Sequence, residues 1–491
     1  MADVLITLPD DPERSLQERI KEALVDLILG GNHTPESPLP SGRSLARQLG
    51  VAKNTVVFAY QDLVADGLVE SRERKGYFIG ARVEIARVKE PISGLPTSGH
   101  QSLVWDDRIH LKGLSGPVIK RPENWADYPF PFIYGQVDPQ LFPLAQWREC
   151  SRMALNRKMI DAWTSDVYGA DFPKLLHQIK TRLLPRRGIH ADEDQILVTL
   201  GAQNAIYLIA QLLTDKESTI GIEEPGYPDA WNTFNLTAGK ILPLTVDQDG
   251  LVVDGKIDDC DLVFTTPSHH LPTTVTMSAD RRLSLIEKAN SSDVLIIEDD
   301  YECENNYVGQ VSPALKSYDT EGRVIHIGSL SKTLFPGLRL GFMVADREII
   351  RQARALRRII LGHPPASTQH VTALFLGLGY HDALVRKLQR EYKQRWTAMG
   401  EALDRYLPGM SRMPTFGGSS YWVEGPKGLD ADQLAILARK KGVLIESVAA
   451  CFRRQNPPGN FFRLGFSSIG TSKIDPGIRI LREVIGGLSQ A

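Results

Sequence analysis

Apolar positions recur at helical spacing through the first eighty residues. After a stretch with no period, they return as short runs that alternate with helical segments. Leu16, Ile20, Leu24, Leu27 and Ile28 make the stripe of a first helix that Gly30-Gly31 stops. Leu39-Pro40-Ser41 opens a second helix, with Ser41 as N-cap and Leu45, Ala46 and Leu49 inward; Gly50 closes it. A third helix is predicted from about Lys53 to Asp66, with Val56, Val57, Tyr60 and Leu63 inward. Leu68 to Ser71 and Tyr77 to Ile79 then flank the charged turn 72–76, which is the pattern of a hairpin or wing.

Residues 81–127 mix Pro, Gly, Ser and charge without period and read as a linker. From about Tyr128 the runs Ile196 to Thr199, Ser218 to Ile222, Leu262 to Thr265, Val294 to Ile297, Val324 to Ile327 and Gly341 to Val344 predict strands. Helical stretches such as Ala202 to Leu213 separate them, so an α/β sheet with parallel members is expected. Residues 380–406 have the pattern of one long amphipathic helix that leads into a smaller α+β lobe. The expected division is 13–80, 81–127 and 128–491.

The chain has 491 residues, enough for two or three domains, and 42% hydrophobic with 24% charged residues is ordinary for a globular protein. The net charge of -2 does not advertise a nucleic-acid partner, but a whole-chain sum can hide a small basic module. Cys150, Cys260, Cys303 and Cys451 lie far apart, so no zinc or redox motif is expected. No apolar run reaches membrane-spanning length and no signal segment opens the chain; a cytoplasmic protein with no membrane partner is expected.

The basic residues of the N-terminal unit fall where a winged helix meets double-stranded DNA. Lys53, Asn54 and Thr55 open the third helix, whose first residues would touch base edges. Arg43 and Arg47 precede them and suit phosphates, and Arg72, Arg74 and Lys75 sit on the wing tip. A charge cluster alone would favour a solvated basic loop. Three helices plus a hairpin, with a base at each contact point, favour DNA.

A second constellation lies in the larger unit. Ser329-Leu330-Ser331-Lys332 follows an apolar strand, and Arg339 and Gly341 come soon after. A lysine amine can form a Schiff base with a cofactor aldehyde, and hydroxyls with a guanidinium can hold a phosphate, so the combination points to pyridoxal 5'-phosphate. That cofactor wants a carboxylate on its ring nitrogen, and Glu298-Asp299-Asp300 ends a strand; Asp299 and Asp300 are equivalent candidates by pattern. Tyr301 is the candidate phenol beside the ring hydroxyl, Ala202 and Gln203 offer amides at a helix start, and Tyr227 offers a stacking face.

Leu39-Pro40-Ser41-Gly42-Arg43-Ser44-Leu45-Ala46, Gly50-Val51-Ala52-Lys53-Asn54-Thr55-Val56, Ala59-Tyr60 and Gly67-Leu68-Val69 resemble the winged helix of the GntR family. Residues 128–491 resemble the fold-type I aminotransferases, and the whole chain is similar to the MocR (GabR-like) group of bacterial transcription regulators, which join the two. The resemblance implies an N-terminal winged helix-turn-helix, a linker and a fold-type I PLP-dependent aminotransferase-like domain. It implies that Lys332 forms the Schiff base, Asp299 rather than Asp300 pairs with the pyridine nitrogen, and Tyr301 bonds the ring hydroxyl. Tyr227 would stack, Ser329 and Arg339 would hold phosphate with the amides of Ala202 and Gln203, and His269 would approach the ring hydroxyl. Tyr168 would reach the neighbouring subunit's phosphate in a homodimer. Arg463 would grip an effector's acid group, against the equal alternative of a strand-edge ion pair.

Two departures stand out. Pro267-Ser268-His269-His270-Leu271-Pro272-Thr273-Thr274 has His270 where the family has glutamine and Thr274 where it has glycine. The segment from Tyr168 to Leu176 is short and lacks an arginine. The implied function is an operator-binding transcription regulator that senses an amino acid or related amine as an external aldimine, with at most weak transamination. The alternatives are an active aminotransferase with an appended docking module, and a regulator that senses pyridoxal phosphate itself.

Overall fold

The computed structural model describes residues 6–11, 14–30, 33, 36–80, 83, 105, 108–109, 116–159, 169–307, 312–412, 417–454 and 456–488. The chain forms two compact units, divided between Arg108 and Ile109.

The first unit is three helices and a hairpin: α1 (Leu16–Leu29), α2 (Gly42–Leu49), α3 (Lys53–Ala65), β1 (Val69–Arg72) and β2 (Gly76–Ile79). The first two helices begin at side-chain caps. Ser15 and Glu18 form a reciprocal capping box on α1. The Ser41 hydroxyl accepts from the Ser44 amide, and Gly50 leaves α2 with φ 66°, a left-handed turn that glycine takes without strain. Ile20, Leu24, Ile28, Leu45, Val56, Tyr60 and Leu63 are fully buried in one core, each worth about 1.5–3 kcal/mol of transfer free energy. Val57, expected inward, is only half-buried because it lies at the margin of this stripe. The Tyr60 ring stacks on Tyr77 at 4.1 Å, and its hydroxyl donates to the Pro40 carbonyl, so one side chain fastens α3 to both the wing and the entry to α2.

The second unit is built on an eight-stranded sheet. A short β3 (Phe130–Pro131) comes first in the chain and belongs elsewhere. The sheet comprises β4 (Ile196–Thr199), β5 (Thr219–Glu224), β6 (Lys240–Asp247), β7 (Gly250–Leu251), β8 (Leu262–Thr265), β9 (Leu295–Asp300), β10 (Val324–Ser329) and β11 (Gly341–Val344). Their spatial order is β4-β11-β10-β9-β8-β5-β6-β7. Neighbours from β10 through β6 run parallel, while β11 is antiparallel to both β10 and β4. The inner strands carry apolar, buried runs, as burial on both faces by flanking helices requires, while β6 near the edge is largely half-buried or exposed.

Three strands extend beyond the apolar runs, β10 as far as Ser329. β9 continues through Glu298, Asp299 and Asp300, all buried, so the acids are part of the strand. The reason is local compensation. Glu298 accepts from the amides of Leu315 (2.6 Å) and Lys316 (3.1 Å) and bonds His326 Nδ1 (2.9 Å). β5 likewise ends at Glu224.

The helix Tyr380–Tyr406 runs 27 residues, as its period predicts, into a lobe with β12 (Ser411–Arg412), β13 (Ser420–Glu424), β14 (Val443–Leu444), β15 (Glu446–Ser447) and β16 (Phe461–Gly465). The lobe sheet has the order β12-β13-β16-β15, all antiparallel, and β14 pairs in parallel with β3. Residues 116–127 fold with this second unit. Asn232 Nδ2 donates to the Pro117 carbonyl at 3.1 Å, and Arg121 Nε donates to Glu446 at 2.6 Å.

Candidate functional site

A cavity of about 450 Å³ opens at the carboxyl ends of β5, β9 and β10, where ligands of open α/β sheets bind. Ala202, Gln203, Tyr227, Asp299, Tyr301, Ser329, Lys332, Arg339 and Arg463 all line it. The topology explains the convergence. β9 and β10 are adjacent and parallel, so the acid that ends one and the lysine that follows the other emerge at the same edge.

Lys332 Nζ lies 4.4 Å from the centroid of the Tyr134 ring. Burial lowers its pKa to about 8; Glu302 opposes this, while Arg121 and Arg463 add to it. The neutral form, which attacks a carbonyl carbon, is therefore more populated than for an ordinary lysine, at about a tenth of the amine at pH 7.

The two acids that sequence pattern left equivalent have different surroundings. Asp300 is held by Arg187, with Nε at 2.7 Å and Nη2 at 3.4 Å. Burial opposes ionisation there, but Arg187 and His326 hold the carboxyl below its usual range. Asp299 Oδ1 is buried and has no hydrogen-bond partner, and burial with the charge of Asp300 pushes its pKa up to about 8. A buried orphan oxygen on a cavity wall is what a protonated ring nitrogen would satisfy.

The anion cradle is at the start of the Ala202–Leu213 helix. Its N-cap, Gly201, supplies no side-chain cap, so the first amides are left for a ligand. Gly201 has φ 80°, and a Cβ there would stand 3.3 Å from Arg339 Nη2, so both backbone and space favour glycine. Arg339 itself has φ 51° and donates from Nη2 to the Leu200 carbonyl at 3.3 Å. The Ser331 amide donates to Ser329 Oγ at 3.2 Å, which places both hydroxyl residues at the mouth.

Tyr227 donates to Asp229 Oδ2 at 3.2 Å, which fixes its ring on the cavity wall. Tyr301 donates to the His269 carbonyl at 2.7 Å and meets Tyr134 edge to face. His269 contributes that carbonyl, but its ring is not part of the cavity lining; the ring lies beside Gly418. Tyr168 falls outside the described residues. Arg463 is in β16, an inner strand of the lobe sheet, and bonds Glu446 Oε2 through Nε (3.1 Å) and Nη2 (2.9 Å). The ion pair expected of Arg463 is present, although not at a sheet edge, and the side chain also lines the cavity.

The sequence reading passed over Tyr134, Arg121, Asp229 and Thr266, which also line the cavity. The departures in the 267–274 loop are accommodated differently. His270 is buried, with Nδ1 2.6 Å from Thr273 Oγ1 and Nε2 3.5 Å from Glu223. Glu223 in turn holds the amide and hydroxyl of Thr266. His270 Nε2 makes no hydrogen bond among the described residues, so the ring is held by Thr273 alone. Thr274 keeps the left-handed backbone, φ 65°, that a glycine would take freely.

In the first unit Arg43, Arg47, Lys53 and Asn54 are exposed and Thr55 is half-buried. Ala52, the N-cap of α3, makes no side-chain cap bond. Arg72 lies over the Phe78 ring at 4.3 Å and pairs with Glu70 at 3.3 Å, Arg74 turns the wing with φ 61°, and Lys75 is exposed.

Family comparisons agree with this division. Residues 16–79 match the model described as bacterial regulatory proteins, gntR family, and residues 170–481 match aminotransferase class I and II. The chain is 42% identical to the HTH-type transcriptional regulator TauR of Rhodobacter capsulatus, over 95% of this chain and 96% of that one. It is 28% identical to the probable rhizopine catabolism regulatory protein MocR of Rhizobium meliloti, over 99% and 97%. Among solved structures, LysN, the α-aminoadipate aminotransferase of Thermus thermophilus complexed with N-(5'-phosphopyridoxyl)-L-leucine, superposes with TM-score 0.71 at 26% identity, covering 79% of this chain and all of that one (100%). Fold and site together define a GntR-type helix-turn-helix joined to an aminotransferase-like body. The chain belongs to the MocR-like regulators of the GntR family. Among the described residues no helix is long and apolar enough to cross a membrane.

Proposed function

We propose that the chain is a DNA-binding transcription regulator whose larger unit binds pyridoxal 5'-phosphate and senses an amino acid or related amine. The observation that carries this is the unpartnered, buried Asp299 Oδ1 on the same cavity wall as the Lys332 amine. The cofactor supplies an aldehyde carbon on an electron-withdrawing ring. Asp299 would orient the ring through its nitrogen, Tyr227 would lie against its face, and Tyr301 would bond its hydroxyl. Ser329, Arg339 and the amides of Ala202 and Gln203 would hold the phosphate. Lys332 would hold the cofactor through its amine and, when an incoming amine takes its place, would be released carrying the two protons that the incoming nitrogen gives up. The freed lysine and the seated ligand then favour one conformation by their differential affinity. A homodimer, with Tyr168 offered across subunits, and an operator read by Lys53, Asn54 and Thr55 complete the proposal.

Absorbance of the protein with pyridoxal phosphate tests this reading. A visible band that shifts with an amine, is fixed to Lys332 by borohydride and is absent in Lys332→Ala is expected, together with an amine-dependent change of footprint on operator DNA. Lack of a band in the wild type would overturn the cofactor assignment. Turnover of amino acids without specific DNA binding would favour the aminotransferase reading.

A further inference from the structure

A second arginine stands at the same cavity. Arg121 lines it from the segment that precedes β3, and its Nε donates to Glu446 Oε1 at 2.6 Å. The other oxygen of Glu446, Oε2, is taken by Arg463. Glu446 is thus a buried carboxylate shared by two guanidinium groups, and one positive charge of the trio has no negative partner within it. Arg463 uses Nε and Nη2 on Glu446, and Arg121 uses Nε alone. Arg463 Nη1 and both Nη atoms of Arg121 therefore make no hydrogen bond with a described residue. The remaining acids of the lining are placed otherwise, Asp229 under the Tyr227 hydroxyl and Asp299 beside Asp300.

The distances to Lys332 are short. A point built as a Cβ on Gly135 lies 2.6 Å from Lys332 Nζ and 3.9 Å from Arg121 Nη1, so the two groups are no farther apart than the sum of those lengths. Lys332 Nζ and the Arg463 guanidinium carbon lie 4.4 Å and 4.0 Å from the centroid of the same Tyr134 ring. An amine placed at Lys332 reaches these donors only through a short chain, and free guanidinium N–H groups from two arginines suit an oxyanion.

We propose that Arg121 is a specificity-determining residue: with Arg463 it seats the anionic end, carboxylate or sulfonate, of a short-chain amine, and Glu446 is the positioning residue that holds both guanidinium groups. The inference rests on the amine exchange at Lys332 proposed above. It extends the site to a residue from the stretch read as linker.

Spectral titrations of the full chain loaded with pyridoxal phosphate test it, with β-alanine, its sulfonate counterpart and acid-free n-propylamine as probes. In Arg121→Gln both acidic probes should bind about tenfold or more weaker while n-propylamine stays within about twofold; Arg121→Lys should recover part of the loss. The cofactor band should still form in Arg121→Gln. If Arg121→Gln is poorly folded, the ratio of acidic to acid-free affinity in Arg121→Lys serves as the readout. An unchanged ratio in the folded variants, or equal weakening of all three probes, overturns the proposal. A wild type that responds to none of the probes overturns the underlying amine-exchange reading with it, whereas a responsive wild type with an insensitive Arg121→Gln overturns this inference alone.

Discussion

Arg187 binds Asp300 through two nitrogens and leaves its neighbour Asp299 with an oxygen that bonds nothing. One guanidinium thereby separates two adjacent carboxyls of the same strand: one is a buried ion pair, the other a protonatable wall of the cavity. Removing Arg187 would leave Asp300 buried without its counter-charge. Arg187→Met should therefore destabilise the second unit by about 3–5 kcal/mol, measured as the shift of its urea unfolding midpoint.

The raised pKa of Asp299 sets a pH dependence with a definite sign. Its folded value, about 8, exceeds the ordinary 3.8, so the folded state holds a proton that the unfolded chain has released between these values. The contribution is complete below about pH 4 and is lost as pH rises towards 8, with a slope of at most about 1.4 kcal/mol per pH unit. Cofactor-free protein should lose stability over that window, and Asp299→Asn should flatten the profile; urea unfolding at several pH values measures both.

Thr274 is a β-branched residue held at φ 65°. Its hydroxyl bonds only the neighbouring Thr273 carbonyl, so little would be lost with the side chain. Thr274→Gly should raise stability by about 0.5–1 kcal/mol, the reverse of the usual cost of glycine. A higher unfolding midpoint with an unchanged denaturant slope is the expected result.

Glu446→Gln would leave Arg463 buried without its charge partner. A loss of about 3–5 kcal/mol is expected, and Glu446→Gln with Arg463→Met should lose less than the two single changes added together. A double-mutant cycle by chemical denaturation measures the coupling.

On the DNA side, exposed Arg43 and Arg47 suit backbone contacts and exposed Asn54 suits a base edge. Arg43→Ala should weaken binding to all sequences alike and reduce the slope of log affinity against log salt by about one. Asn54→Ala should cost about 1–3 kcal/mol on the operator and relax the preference at a single position. Titrations at several salt concentrations, on operator and scrambled duplexes, separate the two behaviours.

Local pattern made much of this molecule legible. The stripe through Ile20, Leu24 and Ile28 and the cap at Ser41 each depend on neighbours a few residues away, and both are present, whereas Leu16, expected in the stripe, is exposed in the first turn. Lys332 and Asp299 could be placed at one cavity because each ends or follows an apolar strand, and adjacent parallel strands deliver their ends to one edge. The roles of Arg121, Arg187 and His270 could not be seen in this way. Their partners, Glu446, Asp300 and Glu223, are paired by the fold across long stretches of chain, and no periodicity records such a pairing. What receives the acids that end β9 was hidden for the same reason. A strand that looks too charged to continue does so because distant amides and an arginine receive it.

The stacked rings of Tyr60 and Tyr77, 4° from parallel, tie α3 to the hairpin beside it. A tilt of one carries the other along. Groove and flank would then be engaged together, and the unit would accept or refuse a half-site whole. A ring-deleting change at either tyrosine would uncouple the helix from the hairpin without altering Lys53, Asn54 or the wing-tip arginines proposed to meet the duplex.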